Sequence, residues 1–408
     1  MKLAAPIALL CVFGLGIVFS IIGAVSLGLC TELGISEDEA GTAVGKLISA
    51  LMFTSLIIIL LIGPLVDKYG HKPFAIVGFL VSAACIGALA FAGSYAVALI
   101  ACVILGVGGM CLNTVGNTLI PQVLFDGQNP PAALNLGNVF FGVGGLLTPL
   151  IVGLLIGGLG YGPAVTVIAV VVLLPIVLAA MGRDYPDVAV GFSAQEAVRL
   201  LATGAVIAGG LALFCEIALE VCMMGFIPTY LQDVGLDQGT ATTYGLPAFW
   251  LALIISRLIA SRVVTPERGV AAIVAMAILA ALGVGIMCVS GSPGLGWAGV
   301  IIVGLALGPN FPNIAGVTFG KYHAAVHGSA FGLIFAIGLL GGTTVPIAFG
   351  RLRDEVSVQS ALLLLVGMAV AMALLALAMG AAKGTVSEAA EPEEEAPAEE
   401  EESEEASG

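Results

Sequence analysis

Twelve long apolar runs decide what this chain can become. They fall near residues 6–30, 43–66, 73–93, 96–121, 132–157, 161–181, 200–231, 239–263, 269–290, 295–320, 327–350 and 358–381. A hydrocarbon layer about 30 Å thick is crossed by about 20 apolar residues in helical form. Lipid offers the backbone no hydrogen-bond partners, so each run is predicted to be a helix. Barrel strands would alternate apolar and polar residues over about 10 positions, and these runs are unbroken and longer. The chain is only 10% charged, where soluble domains carry about 25%. The fold class is therefore all-α membrane protein; soluble enzymes, fibres and disulfide frameworks are excluded. The first run is too long for a 7–15-residue signal core and is expected to remain as the first span.

The runs are numbered here as spans 1 to 12. With the N-terminus in the cytoplasm, the inner segments hold nine basic residues: Lys2, Lys68, Lys72, Arg183, Arg199, Arg262, Arg268, Lys321 and Lys383. The outer loops hold three, Lys46, Arg351 and Arg353. This asymmetry fits the positive-inside rule and predicts both termini in the cytoplasm of a plasma (inner) membrane protein. The net charge of −14 is a property of the end of the chain, because residues 388–405 hold eleven Glu. The Glu-, Ala-, Pro- and Ser-rich stretch 384–408 is expected to be a disordered acidic tail.

A repeat divides the body. Residues 144–153 read GGLLTPLIVG and residues 341–350 read GGTTVPIAFG, an offset of 197 that also maps Asn113 onto Asn310. It pairs span 5 with span 11 and span 4 with span 10. The predicted organisation is a six-helix half over 1–182, a polar cytoplasmic linker over 183–199 and a second half over 200–383. Parallel halves of this kind hold a solute between them near the midplane and rock around it.

Ionisable groups inside a span are costly and point to function. Three stand out: Glu216 and Glu220 in span 7 and Arg257 in span 8. Glu216 and Glu220 are four residues apart and share a helix face. Two carboxylates so placed do not both ionise easily, which suits a proton-carrying pair. At 1.5 Å per residue, Glu216 lies about 22 Å and Arg257 about 27 Å from the outer turn between their spans, so Arg257 is the expected charge partner of Glu216. The alternative for Arg257 is snorkelling to the inner face.

The asparagines are the candidate solute ligands. Asn113, Asn117, Asn310 and Asn313 lie deep in spans 4 and 10, with Asn135 and Asn138 nearer the inner end of span 5. Each offers donors and an acceptor, as a polyhydroxylated ligand requires; bonding between helices is the competing role. Trp250 is a candidate to stack on an apolar sugar face. Tyr230, Tyr244 and Phe249 are placed similarly, and packing explains all four equally well. The eight cysteines read as small apolar filler. No metal, cofactor or nucleic acid is expected, since no phosphate loop, nucleophile elbow or zinc spacing occurs.

GPLVDKYGHKP, residues 63–73, joins spans 2 and 3. Its glycines allow a tight turn, and Asp67 can cap a neighbouring helix or pair with a base to hold one conformation closed. Gly63, Asp67, Gly70 and Lys72 are thus gating candidates. The segment resembles the loop motif G-x-L-x-D-x-x-G-x-K of the major facilitator superfamily. A narrower resemblance is to its fucose–galactose–glucose:proton symporter branch. FCEIALEVCMMGFIPTYL (214–231) is similar to a span 7 stretch with Y-x-G-x-E-V, which places the family Glu on Glu220. LNTVGNTLI (112–120) is similar to E-T-x-x-N-P, with its Asn on Asn117. LNLGNVFFGVGGLLTPLIVG (134–153) is similar to L-N-L-A-Q-x-F-N-x-x-G, with Asn135 and Asn138 on polar positions. SRLIAS (256–261) is similar to G-R-F-I-G-S, with Arg257 on its Arg, and GPNFPNI (308–314) to a span 10 stretch with F-P-x-I.

The chain departs from that branch at chemically important places. The span 4 Glu of the family falls on Asn113, an Asn in span 5 on Phe141, and the Tyr before the span 7 Glu on Glu216; span 1 has no acid. The resemblance implies secondary active transport by alternating access, with proton-coupled uptake of a sugar or similar small solute. The departures imply that the proton site has moved to Glu216 and Glu220. Proton-antiport export of an amphipathic compound is the alternative within transport, and a non-transporting receptor on the same scaffold lies outside it. No enzyme activity is expected, and the fold usually works as a monomer.

Overall fold

The computed structural model describes residues 3–186, 199, 203–355 and 358–383. Among them every regular element is helical, and twelve helices are long and apolar enough to cross a membrane. Spans 1 to 5 are Ala4–Glu32, Glu37–Tyr69, His71–Ala90, Tyr95–Val123 and Pro130–Leu159. Span 6 is Tyr161–Leu173 followed by Ile176–Met181. Spans 7, 8 and 9 are Gly204–Asp233, Gln238–Val263 and Gly269–Val289. Span 10 is Pro293–Leu307 followed by Asn310–Phe319, and spans 11 and 12 are His327–Glu355 and Val358–Ala381. Most of the linker, 187–198, and the acidic tail, 384–408, lie outside the described residues.

Local chemistry sets the helix ends. Asn129 accepts the Ala132 N–H at 3.2 Å ahead of Pro130 and Pro131 at the start of span 5, a cap followed by residues whose missing N–H costs nothing there. Spans 2 and 3 meet at Gly70 alone, with φ +80° and ψ 171°. Only glycine adopts that backbone without strain. Leu154, Val289, Phe91 and Phe53 are 82%, 81%, 72% and 65% exposed. They are side chains suited to face lipid.

Two spans expected to run as single helices are interrupted. In span 10 the interruption falls at Gly308 and Pro309. Pro309 and Pro312 lack N–H groups, so the carbonyls four residues earlier, of Leu305 and Gly308, lose their helical partners. In span 6 Pro175 has the same effect on Val171.

Packing follows the repeat. Span 1 packs on spans 4 and 5, and span 7 on spans 10 and 11; span 4 packs on spans 2 and 3, and span 10 on spans 8 and 9. A Cβ at Gly144 would overlap the Phe13 carbonyl oxygen, and one at Gly341 the Phe214 carbonyl oxygen. The first glycine of each repeat copy is thus the point where span 5 crosses span 1 and span 11 crosses span 7. Two seams join the sets of six spans, span 11 against spans 2 and 4 and span 5 against spans 8 and 10. The repeat exchanges these two seams.

Candidate functional site

An even number of spans puts the start of span 1 and the end of span 12 on the same side, called here the terminal face. Among the described residues, the hydrogen bonds between the two halves all lie in the half of the molecule nearest this face. Asp67 Oδ1 accepts the Gly328 N–H at 2.8 Å, and Oδ2 accepts the Ser329 N–H at 2.7 Å and the Ser329 hydroxyl at 2.6 Å. The end of span 2 thereby caps the start of span 11, where the helix presents unpaired N–H groups and positive dipole. Gly63 permits the approach, because a Cβ on it would overlap the Gly328 carbonyl oxygen. Lys72 donates to the Gly182 carbonyl at 2.9 Å within its own half. On the other seam, Asn129 donates to the Val264 carbonyl at 2.9 Å.

Toward the opposite face the central spans open. Gly23 in span 1 and Gly225 in span 7 are exposed, and a Cβ on either would meet nothing within 4 Å. At 1.5 Å per residue they stand about 28 and 31 Å above the terminal ends of their spans. The conformation is closed at the terminal face.

Beneath the opening lies an aromatic layer. The Phe141 ring of span 5 sits 6.3 Å from Phe19 of span 1 and 5.9 Å from Trp250 of span 8. Phe141 and Trp250 come from different halves and all three rings are half-buried. Phe19 escaped the sequence reading, since one phenylalanine in an apolar run carries no pattern. The other aromatic candidates separate from Trp250: Tyr230 donates to the Met287 carbonyl at 3.3 Å, Phe249 is fully buried, and Tyr244 is 61% exposed.

Below the rings runs a buried polar chain. Asn117 Nδ2 donates to Asn113 Oδ1 at 2.9 Å, and Asn138 Nδ2 to Asn117 Oδ1 at 2.9 Å. Arg257 continues it, donating from Nη1 to the Asn138 carbonyl at 3.0 Å and from Nε to the Gly308 carbonyl at 2.7 Å. The guanidinium carbon lies 5.8 Å from the Phe141 ring centre, within cation–π range. Arg257 is 2% exposed, so it does not snorkel. The Gly308 carbonyl is available because Pro312 supplies no N–H to it. Asn135 donates to Asn313 Oδ1 across the halves. Asn310 Nδ2 turns back to the Ala306 carbonyl at 3.1 Å. Asn135 Oδ1, Asn310 Oδ1 and Asn313 Nδ2 are buried without a partner among the described residues. Such groups are expensive to leave unpaired.

The acids sit one turn apart beside this chain. Glu216 is fully buried, and apart from the neighbouring Glu220 carboxyl its oxygens have no hydrogen-bond partner among the described residues. Glu220 is half-buried. The charged groups acting on Glu216 are Glu220 and Arg257, and those acting on Arg257 are the two glutamates. The expected Glu216–Arg257 pair is therefore an electrostatic neighbour relation. The hydrogen bonds of Arg257 go to main-chain carbonyls, which the Pro312 break and the close crossing of span 5 bring within reach.

Twelve apolar helices enclosing a buried polar layer suit a membrane transporter. The Major Facilitator Superfamily model matches residues 8–346. The chain belongs to that family, which comprises transporters and not enzymes. No curated protein sequence matches the chain. Among solved structures it is similar to a variant of the E. coli fucose:proton symporter FucP, at 19% identity and TM-score 0.76 over 93% of this chain and 99% of that one. It is also similar to the proton:xylose symporter XylE bound to 6-bromo-6-deoxy-D-glucose, at 14% identity and TM-score 0.74 over 94% and 97%. The human organic anion transporter MFSD10 matches at 15% identity and TM-score 0.75 over 92% and 99%. At these identities the likeness is one of fold.

Proposed function

We propose that this transporter takes up a sugar or similar polyhydroxylated small solute together with protons, which Glu216 and Glu220 carry. The observation that carries the proposal is the Glu216 carboxyl group, fully buried with the half-buried Glu220 carboxyl one turn away as its hydrogen-bond neighbour. A permanently ionised carboxylate so buried is costly; a carboxyl that exchanges a proton through Glu220 is not. The likeness in fold to the fucose and xylose symporters supports the solute class. So do the unpaired amide atoms of Asn135, Asn310 and Asn313, which a hydroxylated ligand can satisfy. We assign Asn113, Asn117, Asn138, Asn310, Asn313 and Trp250 to the solute path.

The terminal face is the cytoplasmic one on the Lys and Arg asymmetry, and the host membrane is the plasma (inner) membrane. The chain divides at 182, 199 and 383 and works as a monomer. The test is uptake of a monosaccharide panel into proteoliposomes with and without an inward proton gradient. Accumulation that collapses with the gradient, and its loss in Glu216→Gln or Glu220→Gln, is expected. Full proton-driven uptake by both variants refutes the proton site.

One observation favours a second reading, proton-antiport export of an amphipathic compound. Phe19, Phe141 and Trp250 place an apolar layer across the path. Sugar flux that falls at least tenfold in Phe141→Ala, with no gain in dye efflux, would exclude it.

A further inference from the structure

We infer that Arg257 is a latch between the two halves, and that protonation of the neighbouring Glu216–Glu220 pair keeps it fastened. The inference rests on the reading of Glu216 and Glu220 as proton carriers. Arg257 belongs to span 8, yet Nη1 is bonded to the Asn138 carbonyl of span 5 in the opposite half. Its Nε holds the Gly308 carbonyl of its own half. One buried side chain therefore ties span 8 to both the facing span 5 and the interrupted span 10. From the ends of their spans, Arg257 stands about 9 Å and Asn138 about 12 Å from the terminal face. The bond must break when that face opens.

The competitors for the guanidinium are the adjacent carboxyl groups of Glu220 and Glu216, which are themselves hydrogen-bond neighbours. Among the described residues these two carboxyl groups are the charges that act on Arg257. With the pair protonated, Arg257 has only carbonyl dipoles to bond and the latch holds. With the pair ionised, an opposite charge competes for the guanidinium and the latch loosens. A carrier holding a proton but no solute is thus locked, which blocks proton leak. An empty, unprotonated carrier is free to return. Solute enters this scheme at Asn138, whose side chain belongs to the Asn113–Asn117–Asn138 chain and whose carbonyl holds the latch.

The experiment is a distance measurement across the terminal face. Spin labels at Gln128→Cys and Glu267→Cys occupy exposed sites, one on each half, and Cys288→Ser removes the one cysteine that is not buried. Without solute, the wild-type pair is expected to be short at acid pH and to gain a long-distance population as pH rises. The double variant Glu216→Gln/Glu220→Gln should stay short throughout. Arg257→Gln should show the long population even at acid pH, with an open:closed ratio raised roughly tenfold, the equivalent of one lost bond worth about 1.4 kcal/mol. It should also leak protons into solute-free vesicles. Arg257→Lys should retain part of the lock, showing that the charged donor matters beyond packing.

If Arg257→Gln folds and its distances match wild type, the latch is wrong, whatever the transport data say. If Arg257→Gln opens the face while neither pH nor Glu216→Gln/Glu220→Gln changes it, the latch stands as a fixed contact and proton control is overturned. Failure of the proton-carrier reading itself appears separately, as undiminished gradient-driven uptake in both Glu216→Gln and Glu220→Gln.

Discussion

Replacing Asp67 by Asn should unlock the terminal face. Asp67 accepts three hydrogen bonds of 2.6–2.8 Å from Gly328 and Ser329, and its charge lies at the start of span 11. Asn keeps one acceptor oxygen and turns an amide N–H₂ toward a backbone N–H. At least one charge-assisted bond is lost, worth about 1.5–3 kcal/mol, together with a dipole contribution of about 0.3–1 kcal/mol. The closed arrangement should weaken by about 2–4 kcal/mol, or roughly 30- to 800-fold in the closed:open ratio. Spin labels at Lys68→Cys and His323→Cys, exposed on either side of this seam, would report it as a shift to longer distances. Ser329→Ala removes the hydroxyl bond but neither backbone bond, so its shift should be smaller. The reasoning is refuted if Asp67→Asn leaves the distances unchanged, or if Ser329→Ala opens the face more than Asp67→Asn.

Two further outcomes follow from the packing and the ends of the bundle. Gly144→Val and Gly341→Val both drive a side chain into a facing phenylalanine carbonyl; each should cost about 1–3 kcal/mol, measured as lost thermal stability, with similar losses in the two halves. Asp184 accepts the Ala4 N–H at 3.1 Å at the start of span 1, and this bond holds its carboxyl below the usual range. Its folded-state value lies under the unfolded one of about 3.9, so the cap is fully present above that pH and is lost as pH falls through the folded value. Hydrogen exchange at the first amides of span 1 should lose protection over that acid window in wild type, and show no such step in Asp184→Asn.

The spans and the repeat were legible because both rest on properties every membrane helix shares. An apolar run of sufficient length has one outcome in lipid, and the Gly144 and Gly341 pattern recurs because each copy makes the same close crossing. The positions of Glu216, Arg257 and the asparagines were legible too, since polar groups inside apolar runs stand out. Their partners were not. Depth along two spans placed Arg257 near Glu216, but depth says nothing of rotation, and the guanidinium turns toward the carbonyls of Asn138 and Gly308. The span 10 interruption was missed because a count of span length passes over Pro309 and Pro312, whose missing N–H groups break the helical ladder. Phe19 was indistinguishable from a lipid-facing ring until the facing half was in place, whereas Phe141 was marked only by the resemblance, as the position where the branch carries an Asn.

Pro312 ties these features together and offers the sharpest separation of stability from function. An alanine there would supply the N–H that the Gly308 carbonyl lacks and fits a helical backbone with higher propensity. Pro309 would still interrupt the span above, so the change is confined to one carbonyl. That carbonyl is the one Arg257 Nε holds at 2.7 Å. Pro312→Ala should therefore leave the melting temperature unchanged or raise it, while transport falls because Arg257 must share its acceptor with the new N–H. A stabilised protein with reduced flux would mean that the broken helix is kept to feed a carbonyl to a buried cation. Unchanged flux would mean that Arg257 does not depend on Gly308, leaving Asn138 as the contact that matters.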